Sequence, residues 1–377
     1  MKYSTQYISS YVQDSFSGRY LNPEHLEEAF ASIAHLFVSR EMLGTSVEGR
    51  NIEMIRIGNG PVRVLLWSQM HGNESTTTRG LYDFLKYLNA EPEFLRQINT
   101  AVSLFIIPQL NPDGAHAYTR VNANKIDLNR DAQDLSQPES KALRMAFEKV
   151  QPDYCFNLHD QRTIFSAGDQ REPATISFLS PAFNEDRDVN GVREISMSLI
   201  SAMNSLLQQV IPGKVGRYDD AFNLNCVGDT FQFMGVPTVL FEAGHFELDY
   251  QRLETRKFIA FSLCAAIETI SMGELSQYDY RDYFKIPENK KRFADLILRN
   301  VQLKPSGSKE AFTDLVFQYR EELRDGQIRL VPEFKGPADQ ETRFGHKEMD
   351  MRELPAITYH TEKELKEKAT RLLSMIK

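Results

Sequence analysis

His71 and Glu74 stand three residues apart in the stretch SQMHGNES, while His159 and Glu242 lie much further along the chain, in NLHD and FEAG. Imidazole nitrogens and carboxylate oxygens are ligands that zinc takes. Two His and one carboxylate leave a fourth position open, the catalytic rather than the closed structural arrangement. A second carboxylate beside such a site can take a proton from a water that the metal has made acidic. His-x-x-Glu also occurs at His25 and Glu28, but there it falls inside an amphipathic helical pattern, where i,i+3 polar neighbours simply share a solvated face.

The elements around the four residues decide whether they can meet. An apolar strand, VRVLLW (62–67), precedes the turn that carries His71 and Glu74, and Gly72 is expected to let the backbone bend sharply there. His159 follows the strand DYCFNL (153–158), and Glu242 ends the strand TVLF (238–241) that Pro237 introduces. In open α/β sheets ligands bind outside the carboxyl ends of strands, so all four residues share one rim. The rest of the pattern agrees. Helical spacing covers 24–38, 81–88, 138–150, 195–210 and 251–271, and further strands are expected at 52–57, 101–107 and 175–179. Continuous apolar strands alternating with helices predict an α/β fold whose central sheet is mostly parallel and covered on both faces.

Beyond about residue 275 aromatics and charges crowd together in YDYRDYF, and short strand-like runs such as QIRLVPEF follow. The last 17 residues read as a helix opened by Thr361 with Glu364 three positions on, a capping box. We expect two domains, residues 1–274 with the site and residues 275–377 as a smaller appended α+β domain. At 377 residues the chain exceeds what one hydrophobic core usually serves.

With 44 Lys and Arg against 52 Asp and Glu, interspersed, there is no basic stripe for nucleic acid. No window has the ~18 uninterrupted apolar residues of a membrane span, and the N-terminal stretch has no apolar leader core. Cys155, Cys226 and Cys264 are odd in number, far apart and flanked by apolar residues, which reads as buried free thiols in a reducing, cytoplasmic compartment.

Five motifs in order carry a resemblance. HGNE at 71–74, NPDG at 111–114, RVNANKIDLNR at 120–130, LHD at 158–160 and FEAG at 241–244 are similar to those of the zinc carboxypeptidase family. GTSVEGRNIEMIRIG (44–58) resembles its opening strands, so the likeness covers about residues 40–270. The resemblance implies a mixed, mostly parallel sheet flanked by helices, with one zinc ion held by His71, Glu74 and His159. Glu242 would be the general base for a metal-activated water and would pass the proton to the leaving amine. Arg120 would polarise the scissile carbonyl, and Asn129 with Arg130 would clamp the substrate's terminal carboxylate, a task suited to the parallel donors of a guanidinium. The implied reaction is removal of the C-terminal residue of a peptide.

One departure points to relatives of that family. His159 follows Glu74 by only 85 residues, a spacing more like that of the deacylases aspartoacylase and succinylglutamate desuccinylase, which share HGNE, a DLNR stretch and a DLH third ligand. The alternative implied activity is therefore release of an acyl group from an N-acyl amino acid. A non-catalytic relative would have lost a ligand or the base, and none is missing. The family's mobile substrate-contacting tyrosine has only a loose counterpart in Tyr218. His116, His245, His346 and His360 match no motif and are expected to be structural or superficial, and Asp113 is expected to shape its own turn.

Overall fold

The computed structural model describes residues 16, 18–307 and 309–375, so the N-terminal stretch read for a leader lies outside the described residues apart from Phe16. Eight strands form the main sheet: β1 (Ser39–Thr45), β2 (Asn51–Ile57), β3 (Val62–Ser68), β4 (Val102–Ile107), β5 (Tyr154–Asp160), β7 (Ile176–Leu179), β8 (Val215–Arg217) and β9 (Thr238–Ala243). Their order is β1-β2-β4-β3-β5-β9-β7-β8. The central strands β4, β3, β5 and β9 are mutually parallel, and β1, β2 and the β9–β7 pair bring in antiparallel neighbours. The expected mixed, mostly parallel sheet is what the chain forms.

Period-two alternation sorts β3 between two cores. Val64 and Leu66 face a large cluster under α2 (Thr76–Ala90), α6 (Gly191–Leu207) and α8 (Leu253–Met272), while Leu65 and Trp67 face a second cluster under α5 (Pro138–Val150) and α7 (Val227–Phe233). Both faces are therefore covered, which is why these strands are apolar throughout.

One helical reading differs from the structure. The helical pattern of 24–38 is broken: α1 (Pro23–Ala31) stops where Ile33 leaves helical geometry, and a separate 3-10 turn covers Ala34–Leu36. The Ser32 hydroxyl bonds back to the Ala29 carbonyl and to the Tyr82 phenol, a local alternative to continuing the helix. Ahead of β4 the chain forms α3 (Pro92–Ala101), with proline in its first turn where the missing N–H costs nothing. The remaining short helix of this region, α4 (Pro112–Ala117), follows β4.

In the C-terminal part, β10 (Asn289–Lys291) pairs with β6 (Phe165–Ala167), so the chain stays against the site-bearing sheet before it turns away. Leu275, Tyr280, Tyr283 and Ile286 pack into the same large cluster. Five strands follow: β11 (Phe293–Pro305), β12 (Ala311–Arg324), β13 (Gln327–Pro337), β14 (Phe344–Asp350) and β15 (Ile357–Tyr359). The final helix α9 (Glu362–Met375) buries Leu365, Ala369 and Leu373, one stripe at four-residue spacing, against Leu296, Leu298 and Leu303 of β11. Its capping arrangement is shifted by one residue from the expected box: Thr361 accepts from the Glu364 N–H, but the Glu364 carboxylate takes the N–H of His360.

Candidate active site

The turn after β3 and the ends of β5 and β9 come together at one end of the sheet. His159 and Glu242 lie within their strands rather than after them, and they are register partners across β5 and β9. His71 Nδ1 is 2.9 Å from Glu74 Oε1, and His159 Nδ1 is 2.8 Å from Glu74 Oε2. The three side chains are buried, and one ligand atom from each lies within 4.8 Å of the others. Two imidazole nitrogens and one carboxylate facing a common point fit a zinc ion with an open fourth position.

Packing explains why the turn is placed so. A Cβ on Gly72 would lie 1.9 Å from the carbonyl carbon of Gly114, so this glycine is required by close approach of the NPDG turn, not by a bend that only glycine can adopt. Asp160, next to His159, accepts the N–H groups of Thr76 and Thr77 at the start of α2 at 2.8 and 3.0 Å. That carboxylate ties the strand of His159 to the turn that carries His71 and Glu74. Asp113 does not shape its own turn: it accepts from Ser46 Oγ, the Glu48 N–H and Arg50, and so secures the turn between β1 and β2.

Asp127 lies in the DLNR stretch, where nothing in the sequence sets it apart. Its Oδ1 is 3.0 Å from His71 Nε2 and also accepts the Asn129 N–H at 2.9 Å. A carboxylate behind a ligating histidine fixes the ring and leaves its other nitrogen for the ion. Arg120 spans the same group, with Nε on Asp127 Oδ2 and Nη1 on Glu74 Oε1, both at 3.1 Å.

Charge at the site follows from burial and these contacts. Burial pushes the Glu74 carboxyl up, but His71 and His159 outweigh it and hold the group well below its ordinary range. Burial pulls His159 down, and for His71 the partners Glu74 and Asp127 overcome the same effect and raise it. Glu242 is driven well above the ordinary carboxylate range by burial and by the charges of Glu74 and Asp160. Its Oε2 is buried with no hydrogen-bond partner among the described residues, as is His159 Nε2.

These groups line a cleft of about 770 Å³. At one end Asn129 and Arg130 adjoin α7, where Asn129 Oδ1 accepts the Val227 N–H at 3.0 Å. Arg130 is exposed, gives Nη1 to the Asn129 carbonyl at 2.7 Å and makes no ion pair among the described residues. Tyr218 also lines the cleft, its phenol raised by burial and by Glu242 and Glu74. Cys155 and Cys264 are buried as expected, but Cys226 is only half-buried and borders the cleft. Burial pushes its thiol up to about 11. His25, His116 and His360 are exposed, and His245 is buried against Tyr250 and His346.

A buried His, Glu, His donor set at the rim of a mixed α/β sheet, with a second carboxylate alongside, defines a metal-dependent class of site. Residues 24–221 match the zinc carboxypeptidase family, and the chain belongs to it. The chain is 27% identical over 146 residues to carboxypeptidase 2 of Trichophyton rubrum, covering 37% of this chain and 26% of that protein. It is 33% identical over 120 residues to carboxypeptidase SOL1 of Arabidopsis thaliana, covering 27% and 24%. The matches thus span about a quarter of these relatives' length. Among solved structures, a metallo-carboxypeptidase from Burkholderia cenocepacia shares the fold with a TM-score of 0.52 at 18% identity, over 66% of this chain and 70% of that one. No helix among the described residues is long and apolar enough to cross a membrane.

Proposed function

We propose that this protein is a zinc-dependent metallocarboxypeptidase that hydrolyses the C-terminal peptide bond of a substrate with a free carboxylate. The observation that carries the reading is the convergence of His71, Glu74 and His159 beside Glu242, whose buried Oε2 has no hydrogen-bond partner among the described residues. Zinc held there supplies Lewis acidity and makes water acidic near neutral pH. Glu242 takes a proton from the attacking water and delivers it to the leaving amine. Arg120 puts a fixed cation beside the cleft, where charge develops on the carbonyl oxygen. The Arg130 guanidinium, which makes no ion pair among the described residues, binds the terminal carboxylate with the Asn129 amide through parallel donors.

The alternative, an N-acyl-amino-acid deacylase, would use the same residues, with Asn129 and Arg130 on the amino acid's carboxylate. Incubating the zinc-loaded protein with a mixed library of free-acid peptides, amidated peptides and acylated amino acids, and reading products by mass, tests both. We expect free-acid peptides to lose their last residue while amidated ones persist. Equal turnover of both would refute the exopeptidase reading.

We further propose that residues 1–274 are the catalytic unit and 275–377 an appended unit. A cytoplasmic location is supported by the three unpaired thiols.

A further inference from the structure

Strand β12 runs from one bank of the cleft to the other. On the first bank Gln318 Nε2 donates to Thr163 Oγ1 at 2.7 Å, four residues beyond the proposed third ligand. On the second, the Glu321 carboxylate takes the Arg19 guanidinium and, at 2.6 Å, the Tyr118 hydroxyl. Three strand steps of about 3.3 Å separate these anchors, so the strand bridges a gap of roughly 10 Å. Thr163, Arg19 and Tyr118 all line the cleft that holds the triad.

Two further residues that line the cleft, Asp295 and Tyr250, help to hold the bridge. Asp295 of β11 accepts the Tyr319 N–H at 2.7 Å and the Tyr250 hydroxyl at 3.0 Å. Between the anchors the half-buried Tyr319 ring borders the cleft and packs edge-on against Tyr250, centroids 5.2 Å apart. Leu330 of β13, the register partner of Glu321, adds an apolar wall residue beside it. Gln318 and Arg19 are each 6% exposed, so the bridge is fixed by buried polar contacts and not by surface contacts that water readily replaces.

This bears on substrate length, and it rests on the reading above that Asn129 and Arg130 hold the terminal carboxylate. Those two residues sit against α7, whereas β12 is anchored to Arg19, Tyr118 and Thr163. A substrate clamped at the α7 end extends its acyl side away from the clamp, toward β12. We propose that β12 and β13 close this side, so that the cleft accepts short acyl portions, those of dipeptides, tripeptides and N-acyl amino acids, and excludes the termini of longer chains. Tyr319 and Leu330 are the specificity-determining residues. An additional extended residue needs about 3.3 Å of free path, and the anchored strand occupies that path.

The test is a length series sharing one C-terminal residue, from an N-acetylated dipeptide to an octapeptide, with the zinc-loaded full chain. The ratio of kcat/KM for the longest over the shortest should lie below one by about tenfold or more, the low end of what a misfitting group costs. Tyr319→Ala with Leu330→Ala should bring the ratio closer to one. Calorimetric binding of the same series to the zinc-loaded Glu242→Gln protein gives a second readout, independent of turnover and of whether the double variant folds. Affinity there should fall with length. Equal kcat/KM and equal affinity across the series in the unmodified wall would overturn the inference while leaving the carboxypeptidase reading intact. If no member is cleaved or bound, the reading itself fails and takes this inference with it.

Discussion

His159 and Glu242 are register partners on adjacent parallel strands, so a proposed ligand and a buried carboxylate whose Oε2 has no partner among the described residues leave the sheet side by side. The arrangement assigns different fates to their variants. Glu242→Gln should keep the fold and the metal while turnover drops by roughly 10²–10⁴-fold, the usual share of a positioned acid-base group. His159→Ala should lose the metal itself. Metal analysis of the two purified variants beside their kinetics checks this, and a Glu242→Gln protein without zinc would mean that the base had been confused with a ligand.

Asp127 touches the donor set at His71 and, by way of Arg120, at Glu74. Replacing it by Asn keeps its size and removes the charge that raises and orients the ring, so zinc affinity should fall by about 10–100-fold. Competition against a chromophoric chelator measures the change. An unchanged affinity would leave Asp127 as no more than the cap of the turn that carries Asn129.

Gly72→Ala tests why that glycine is needed. The new methyl would meet the Gly114 backbone at 1.9 Å, and the two turns would have to separate. We expect a loss of about 1–3 kcal/mol on urea denaturation, the usual cost of overpacking, accompanied by weaker zinc binding. Normal stability with full metal content would show that the turns can part freely.

The metal donors and the sheet were legible because their signals are local. Val64 to Trp67 spell a strand, and HGNE, LHD and FEAG each carry their chemistry within a few residues of a strand end. What was not legible depends on contacts between distant parts of the chain. Nothing near Gly72 announces that Gly114 will lie against it, and Asp127 reads as an ordinary turn residue until its 3.0 Å contact with His71 is seen. The wall of the cleft made by Tyr319 was likewise invisible, because YREELR alternates poorly and its anchor, Glu321, meets Arg19 across 302 positions of the chain. The end of α1 shows a different limit, since apolar spacing continues through Ile33 although the backbone does not.

Arg130 should govern binding more than chemistry. Arg130→Lys keeps the charge and loses the fork, which removes one charge-assisted hydrogen bond of about 1.5–3 kcal/mol, so KM should rise by about tenfold to a hundredfold with a smaller change in kcat. Steady-state kinetics on a free-acid peptide checks the split. A fall in kcat alone would move Arg130 from the clamp to the reacting carbonyl.

The pair of Glu321 and Arg19 predicts how stability depends on pH. Burial pushes the Glu321 carboxyl up, but Arg19, the Tyr118 hydroxyl and Arg252 outweigh it and hold the group below its ordinary value of 4.5. A depressed carboxyl contributes stability above its unfolded pKa, and that contribution is lost as pH falls from about 4.5 through the lower folded value. Glu321 is half-buried, and Glu321→Gln leaves the buried Arg19 without its counter-charge, so the variant should be less stable near neutral pH by about 1–3 kcal/mol, the cost of leaving a buried group without its partner. As the parent's carboxyl protonates it loses the same pairing, and the two stabilities should converge at acid pH. Urea denaturation of both metal-free proteins, at about pH 7 and again below about pH 4, measures the gap. A gap of constant size would place the cost of Glu321→Gln in packing rather than in charge.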